Sequence, residues 1–245
     1  MQLIKLSATD STNAYLRRLT MRESVPDFTV VQAARQTAGR GQPGTHWVSE
    51  EGKNLTFSIL KRLKSFPARN HFLLNMGVSL SVFRLLESLG IPELYLKWPN
   101  DILSGPQKVC GILLENQLRG ADLTTSFIGI GLNVNQTEFR DLPGATSLKN
   151  ITGKSYDLDE LLLTFISLLQ QAFKEMSHLS YSSLLEQYEQ NLYLKDRAVP
   201  FGLPDGERFV GTIRGVDADG RLKVALENGE LRAFGFKDVR YLREA

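Results

Sequence analysis

The sequence has little of what several common architectures require. It contains one cysteine, Cys110, so no internal disulfide can form and a reducing compartment is expected. No apolar run is long enough to span a bilayer. Met1-Gln2-Leu3-Ile4-Lys5 leads into polar residues and not into a signal-peptide core. The chain thus reads as cytoplasmic, with no membrane association. The formal net charge is only +2, too small to indicate a nucleic-acid partner. The three histidines, His46, His71 and His178, stand away from cysteines and acids, so none has metal-ligand spacing. Repeats and low-complexity tracts are absent. What remains is an ordinary globular composition over 245 residues, enough for one large domain with or without a small one.

The most distinctive stretch is Arg35-Gln36-Thr37-Ala38-Gly39-Arg40-Gly41-Gln42-Pro43-Gly44-Thr45-His46-Trp47. It carries three glycines, two arginines and no acid. Glycine lets backbone amides approach a ligand closely, and amides flanked by fixed cations make a cradle for an anion. Gly39, Gly41 and Gly44 also spell the dinucleotide fingerprint. That motif requires a helix directly after the loop, and Pro43, Gly44, Gly52 and the strand-like Leu55–Leu60 leave no room for one. Trp47 reads as an apolar anchor for the loop.

Around this loop the pattern predicts a mixed α+β domain. Leu3–Leu6 is a short strand. Asp10-Ser11-Thr12-Asn13 opens a helix and, taken alone, reads as a set of N-caps. Strands are expected over Phe28–Ala34, Leu55–Leu60, Leu94–Leu96, Gln107–Leu118 and Phe127–Val134, with helices over Phe72–Leu89, Leu158–Met176 and Tyr181–Leu192, the last two packing together. Gly129 and Gly131 mark a bulge or a close backbone approach. From Lys195 to Ala245 the turns Asp219-Gly220 and Asn228-Gly229 punctuate short strands, predicting a small β-barrel too short to be comfortably stable alone. The expected domains are therefore 1–194 and 195–245.

A second constellation is Lys97-Trp98-Pro99-Asn100-Asp101. Pro99 restricts the backbone on both sides of itself, so Lys97, Asn100 and Asp101 are aimed in fixed directions; a rigid turn with a solvated charge pair is the plainer alternative. Lys108 enters an apolar strand beside Gly111, where an ammonium could serve as a point charge for a carboxylate or phosphate. Cys110 has no base near it in sequence and reads as a small buried hydrophobe.

These segments, with Lys108-Val109-Cys110-Gly111-Ile112-Leu113-Leu114-Glu115 and Gly129-Ile130-Gly131-Leu132-Asn133-Val134-Asn135, resemble in order and separation the catalytic core of biotin protein ligases. The resemblance covers nearly the whole chain. It implies a biotin/lipoate ligase-like catalytic domain with a C-terminal SH3-like domain. It also implies a two-step reaction: biotin and MgATP give biotinyl-5′-AMP, and a lysine of a biotin carboxyl carrier protein then takes the biotinyl group. By the same resemblance, Ser11, Thr12, Asn13 and Gln36 read the biotin head group. Arg40, Gly41 and Gln42 close over its chain and carboxylate, Lys108 and Arg40 are catalytic, and Gly111 permits close approach. Gly39, Arg40, Trp47, Asn100 and Asp101 lie on the ATP side; Asn100 and Asp101 either face the nucleotide and Mg2+ or orient the incoming lysine. No dedicated protein cage for the metal is implied, and a monomer or a homodimer is equally compatible. The chain starts too near Asp10 for the N-terminal DNA-binding domain of some relatives, so no sequence-specific DNA binding is expected. Lipoate or octanoate chemistry on the same fold, or a non-catalytic biotin-binding module, are the rival readings.

The loop departs from the family pattern at Gln42 and Thr45, where relatives often carry basic residues. A less cationic loop holds a phosphate-bearing intermediate less tightly. Gln42→Arg is expected to slow the release of biotinyl-5′-AMP; an unchanged release rate would overturn this reading.

Overall fold

The structure is a computed structural model that describes residues 1–140, 142–176 and 180–242; His178 lies outside the described residues. Seven strands form one sheet: β1 (Leu3–Thr9), β2 (Val30–Gln36), β3 (Leu55–Pro67), β4 (Leu94–Lys97), β5 (Asp101–Ser104), β6 (Gln107–Arg119) and β7 (Asp122–Leu132). Their spatial order is β1-β2-β3-β7-β6-β5-β4. All pairs are antiparallel except β1 with β2. Parallel neighbours need a crossover, and helix α1 (Thr12–Arg22) supplies it. The opening strand is longer than Leu3–Leu6. Its later residues are polar and half exposed, so hydropathy hides them, but the ladder continues to Thr9 opposite Gln36.

Successive strand residues face opposite sides of a sheet, and this splits the core. Val31, Leu60 and Phe127 pack with Leu16 and Val25 on the α1 side. Their neighbours Val30, Ile59 and Ile128 join the larger core on the other side. There helix α2 (His71–Ser88) is buried over most of its length, ending at Gly90 with φ +72°. The short helix α3 (Leu148–Thr152) follows β7. Helices α4 (Leu158–Glu175) and α5 (Tyr181–Gln190) match the expected spans. Their main helical partner is α2 and not one another. A long apolar helix buried on most sides can receive both, which amphipathic periodicity alone does not reveal.

The α1 side of the sheet loses its side chains as it approaches the carboxyl ends of β1 and β2. Register places Phe127 opposite Glu115, then Gly129 opposite Leu113 and Gly131 opposite Gly111. The sheet therefore offers bare backbone beside the small α1 core.

Strands β8 (Ala198–Gly202), β9 (Arg208–Val216), β10 (Leu222–Leu226), β11 (Leu231–Phe234) and β12 (Arg240–Tyr241) form a second, antiparallel sheet in the order β11-β10-β9-β8-β12. No ladder joins β11 to β12 among the described residues, so this SH3-like unit is a curled, open sheet and not a closed barrel. Its apolar residues Phe201, Ile213, Val216 and Leu222 continue the large core, which relieves the shortage of burial expected for so short a segment. Polar ties reinforce the junction: Trp98 Nε1 donates to Gly220 O at 2.8 Å, Val216 N to Glu189 Oε1 at 2.8 Å, and Tyr181 Oη to Asp217 O at 3.1 Å. No helix among the described residues is long and apolar enough to cross a membrane.

Gly220 has φ +78°, and a Cβ there would overlap the Phe72 ring. Gly220→Ala is expected to destabilise the protein by more than about 1 kcal/mol, read as a lower thermal midpoint; an unchanged midpoint would show that this junction carries little stability.

Candidate active site

The parallel pairing of β1 and β2 brings their carboxyl ends together. Asp10–Asn13 and the glycine loop therefore leave the sheet side by side, tied by Thr37 N to Thr9 O at 2.8 Å and Ala38 N to Asp10 O at 2.9 Å. Asp10 accepts two bonds of 2.8 Å from Arg18 and one of 2.8 Å from Ser11 N. The Arg18 guanidinium holds its carboxyl well below the usual carboxylate range. Ser11 occupies the N-cap position of α1, yet its side chain makes no capping bond. The capping reading thus fails for Ser11, because Asp10 already fixes the turn. The hydroxyl of Ser11 lines a cavity instead.

The next two side chains are tied across the sheet. Thr12 N and Oγ1 both donate to Gln36 Oε1, at 2.8 and 3.1 Å, and Ser58 Oγ donates to Thr12 Oγ1 at 2.7 Å. Asn13 Nδ2 donates to Glu115 Oε2 at 2.9 Å. All of Ser11, Thr12 and Asn13 are buried. They form a set of uncharged hydrogen-bonding groups, two of them held from the sheet by Gln36, Ser58 and Glu115.

The glycine loop folds back on itself. Gly41 N bonds Thr45 O at 3.1 Å, Thr45 N bonds Gln42 O at 2.8 Å, Trp47 N bonds Gly39 O at 3.0 Å, and Arg40 and His46 form an isolated bridge. The chain then enters β3 without a helix, as the rejection of the dinucleotide motif requires. Trp47 lays its indole on the glycine floor; a Cβ on Gly131 would overlap the ring, and one on Gly111 would come within 3.0 Å of it. This is the expected apolar anchor. Gly39 is buried, with no room for a Cβ beside Trp47 O. It is absent from the lining of the cavity described below and shapes the loop that carries Arg40 and Gly41.

The second constellation forms the turn from β4 to β5 and contains a cis Trp98–Pro99 peptide. It is pinned from α2 and from β6. Asn75 Nδ2 donates to Pro99 O at 3.1 Å, Asn100 Nδ2 donates to Ile112 O at 2.7 Å, and Ile112 N donates to Asn100 O at 2.9 Å. Asp101 projects to Lys108, with Oδ1 2.7 Å from Nζ. Lys108 Nζ also lies 5.5 Å from the centroid of the Trp47 ring, and Lys97 Nζ lies 5.1 Å from that of Tyr241. Cys110 is fully buried, and burial pushes its thiol far up, which removes it as a nucleophile.

Thus Ser11, Thr12, Asn13, Gln36, Arg40, Gly41, Gln42, Trp47, Asn100, Asp101, Lys108 and Gly111 all line one cavity of about 390 Å³. Arg40 is exposed at it, and His46 also reaches it. A second cavity of about 840 Å³ shares His46, Trp47, Lys97, Asp101, Lys108 and Tyr241 and extends to Asn133, Leu142–Ala145 and Arg197. Sequence reading missed two contributors. The small sheet supplies Phe236, Val239, Arg240 and Tyr241 to the first cavity, a consequence of docking that no local motif announces. The segment after β7 supplies a wall of the second through Leu142–Ala145, a stretch that carries none of the motifs singled out from the sequence. No cluster of three or more metal-ligating side chains occurs among the described residues.

Comparison with known proteins agrees with this geometry. Residues 6–133 match the Biotin/lipoate A/B protein ligase family, and residues 196–237 match the Biotin protein ligase C terminal domain. The chain is 30% identical to the biotin–[acetyl-CoA-carboxylase] ligase of Mycobacterium tuberculosis, over 90% of this chain and 82% of that one. It is 29% identical to the bifunctional ligase/repressor BirA of Bacillus spizizenii, covering 84% of this chain but only 64% of the relative's length. Among solved structures, the Aquifex aeolicus biotin protein ligase in complex with biotin and ATP superposes with a TM-score of 0.82 at 30% identity, covering 99% of each chain. By the order of its motifs, the two-sheet architecture and these matches, the chain belongs to the biotin/lipoate A/B protein ligase family, in its biotin protein ligase branch.

Proposed function

We propose that this protein is an ATP-dependent ligase that joins the carboxylate of biotin to AMP and transfers the biotinyl group to a lysine of a biotin carboxyl carrier domain. The observation that carries the proposal is the partition of one glycine floor. Asn13, with Thr12 and Gln36 nearby, sits over Gly129, whereas Lys108 sits beside Gly111. A neutral polar ring suits the first part. A carboxylate meeting a phosphate suits the second, where fixed cations offset the accumulating charge.

In the first step a carboxylate oxygen of biotin attacks the α-phosphorus of ATP. The bond from that phosphorus to the β-bridging oxygen breaks, and pyrophosphate departs. Lys108, held by Asp101, faces the carboxylate and the α-phosphate, and Arg40 approaches from the loop. Trp47 and the folded loop limit the entry of water to the mixed anhydride. In the second step the uncharged amine of the carrier lysine attacks the acyl carbon, and AMP leaves. The second cavity adjoins Lys108 and Asp101 and has a volume suited to a nucleotide. Mg2+ accompanying the ATP would prefer oxygen ligands, retain water and need few carboxylates; among the described residues Asp101 is the one carboxylate that lines either cavity and would face it. Asn100, bonded to β6 through both its amide and its backbone, acts by fixing the turn that presents Asp101.

The test is biotin-dependent ATP–pyrophosphate exchange, with lipoate and octanoate as competitors. Exchange that requires biotin and is not displaced by either acid is expected; exchange driven by lipoate or octanoate would move the chain to the related chemistry. Lys108→Met is expected to reduce exchange by about 10²–10³-fold with thermal stability retained. A loss below tenfold in a folded variant would remove Lys108 from the reaction.

A further inference from the structure

The orientation of one buried amide in the cavity is decided by a residue outside it. Asn13 is 2% exposed. Its Nδ2 donates to Glu115 Oε2 at 2.9 Å, and Glu115 Oε1 lies 3.4 Å from the guanidinium of Arg17. Arg17 is in turn set over the Phe127 ring, 5.2 Å from its centroid. An ionised carboxylate accepts hydrogen bonds and donates none. Glu115 therefore compels the nitrogen end of the Asn13 amide to face it, and the oxygen end faces the other way. That atom, Asn13 Oδ1, is buried and has no hydrogen-bond partner among the described residues. It rests over the bare backbone of Gly129, where an added Cβ would come within 2.9 Å of it. Both residues line the first cavity.

We propose that Glu115 is a positioning and specificity-determining residue: it locks Asn13 as an obligate acceptor, so that the cavity selects a head group presenting an N–H at Oδ1. The inference rests on the biotin reading, under which the donor is one of the two ureido N–H groups. Arg17 holds the Glu115 carboxylate in place from its other oxygen. Thr12 does not impose the same restriction, because a hydroxyl can donate or accept, and Gln36 is held in the opposite sense, its Oε1 facing the obligate donor Thr12 N. Asn13 cannot turn over while Glu115 remains a carboxylate. A locked buried acceptor rejects an analogue with an oxygen where the N–H should be, since two acceptors then face each other.

The experiment measures equilibrium binding of biotin and of its two cyclic carbamate analogues, each with one ureido N–H replaced by oxygen. The unmodified protein is expected to bind one of the two carbamates at least about tenfold more weakly than biotin through this contact. Glu115→Gln can donate or accept, which frees Asn13 to offer its Nδ2 to the ring oxygen. The preference for biotin over that one carbamate should then fall by about tenfold or more, while the preference over the other carbamate is unmoved. If Glu115 only fastens α1 to the sheet, all three ligands weaken together and both ratios stay constant, which overturns the proposal. Should the Gln variant fail to fold, Glu115→Met removes the same constraint and is read by the same ratios. No biotin binding by the unmodified protein would overturn the parent reading, and this one with it; biotin binding with constant ratios overturns this one alone.

Discussion

Everything in the site depends on a patch of sheet that lacks side chains. At Gly111, Gly129 and Gly131 the pleated backbone itself is the contact surface, so an indole and a carboxamide can lie directly on it. A single methyl group at Gly131 would overlap Trp47. The loop that carries Arg40 would then lose its anchor on the sheet. Close packing makes such positions intolerant, because neighbours on both sides have already reached van der Waals contact.

The second requirement is charge placed where it can be used. Lys108 is partly enclosed, between Asp101 and the face of Trp47. In such a position an ion partner and a π-face offset part of the water the ammonium has lost. Asp101 holds it without burying it, so an arriving anion can share it. The turn that delivers Asp101 is bonded to α2, to β6 and to the small sheet. Its geometry is accordingly determined by the whole molecule and not by five residues.

Much of this was legible in the sequence, for identifiable reasons. The strand spans over Leu55, Leu94, Gln107 and Phe127 and the helix beginning near Phe72 followed from hydropathy and turn residues. The glycine loop and the Lys97–Asp101 pentad stood out because their composition is unsuited to any ordinary element. What escaped was long-range. Nothing local to Glu115 or Ser58 marks either as a partner of α1, since strand register alone brings them there. The polar half of β1 was hidden because an edge strand can satisfy its ladder with little apolar content. The expectation that α4 and α5 pair failed because periodicity identifies an apolar face without naming its partner.

The cavity has a wall from each sheet. Phe236, Val239, Arg240 and Tyr241 close it from the small unit, and Trp98 bonds across the seam to Gly220. The enclosure therefore exists only while two separately hydrogen-bonded sheets remain in register with each other. Each sheet can keep every internal ladder intact and the chamber still be open on one side. Enclosure, and not secondary structure, is the quantity that evolution or an engineer would have to preserve when altering the seam.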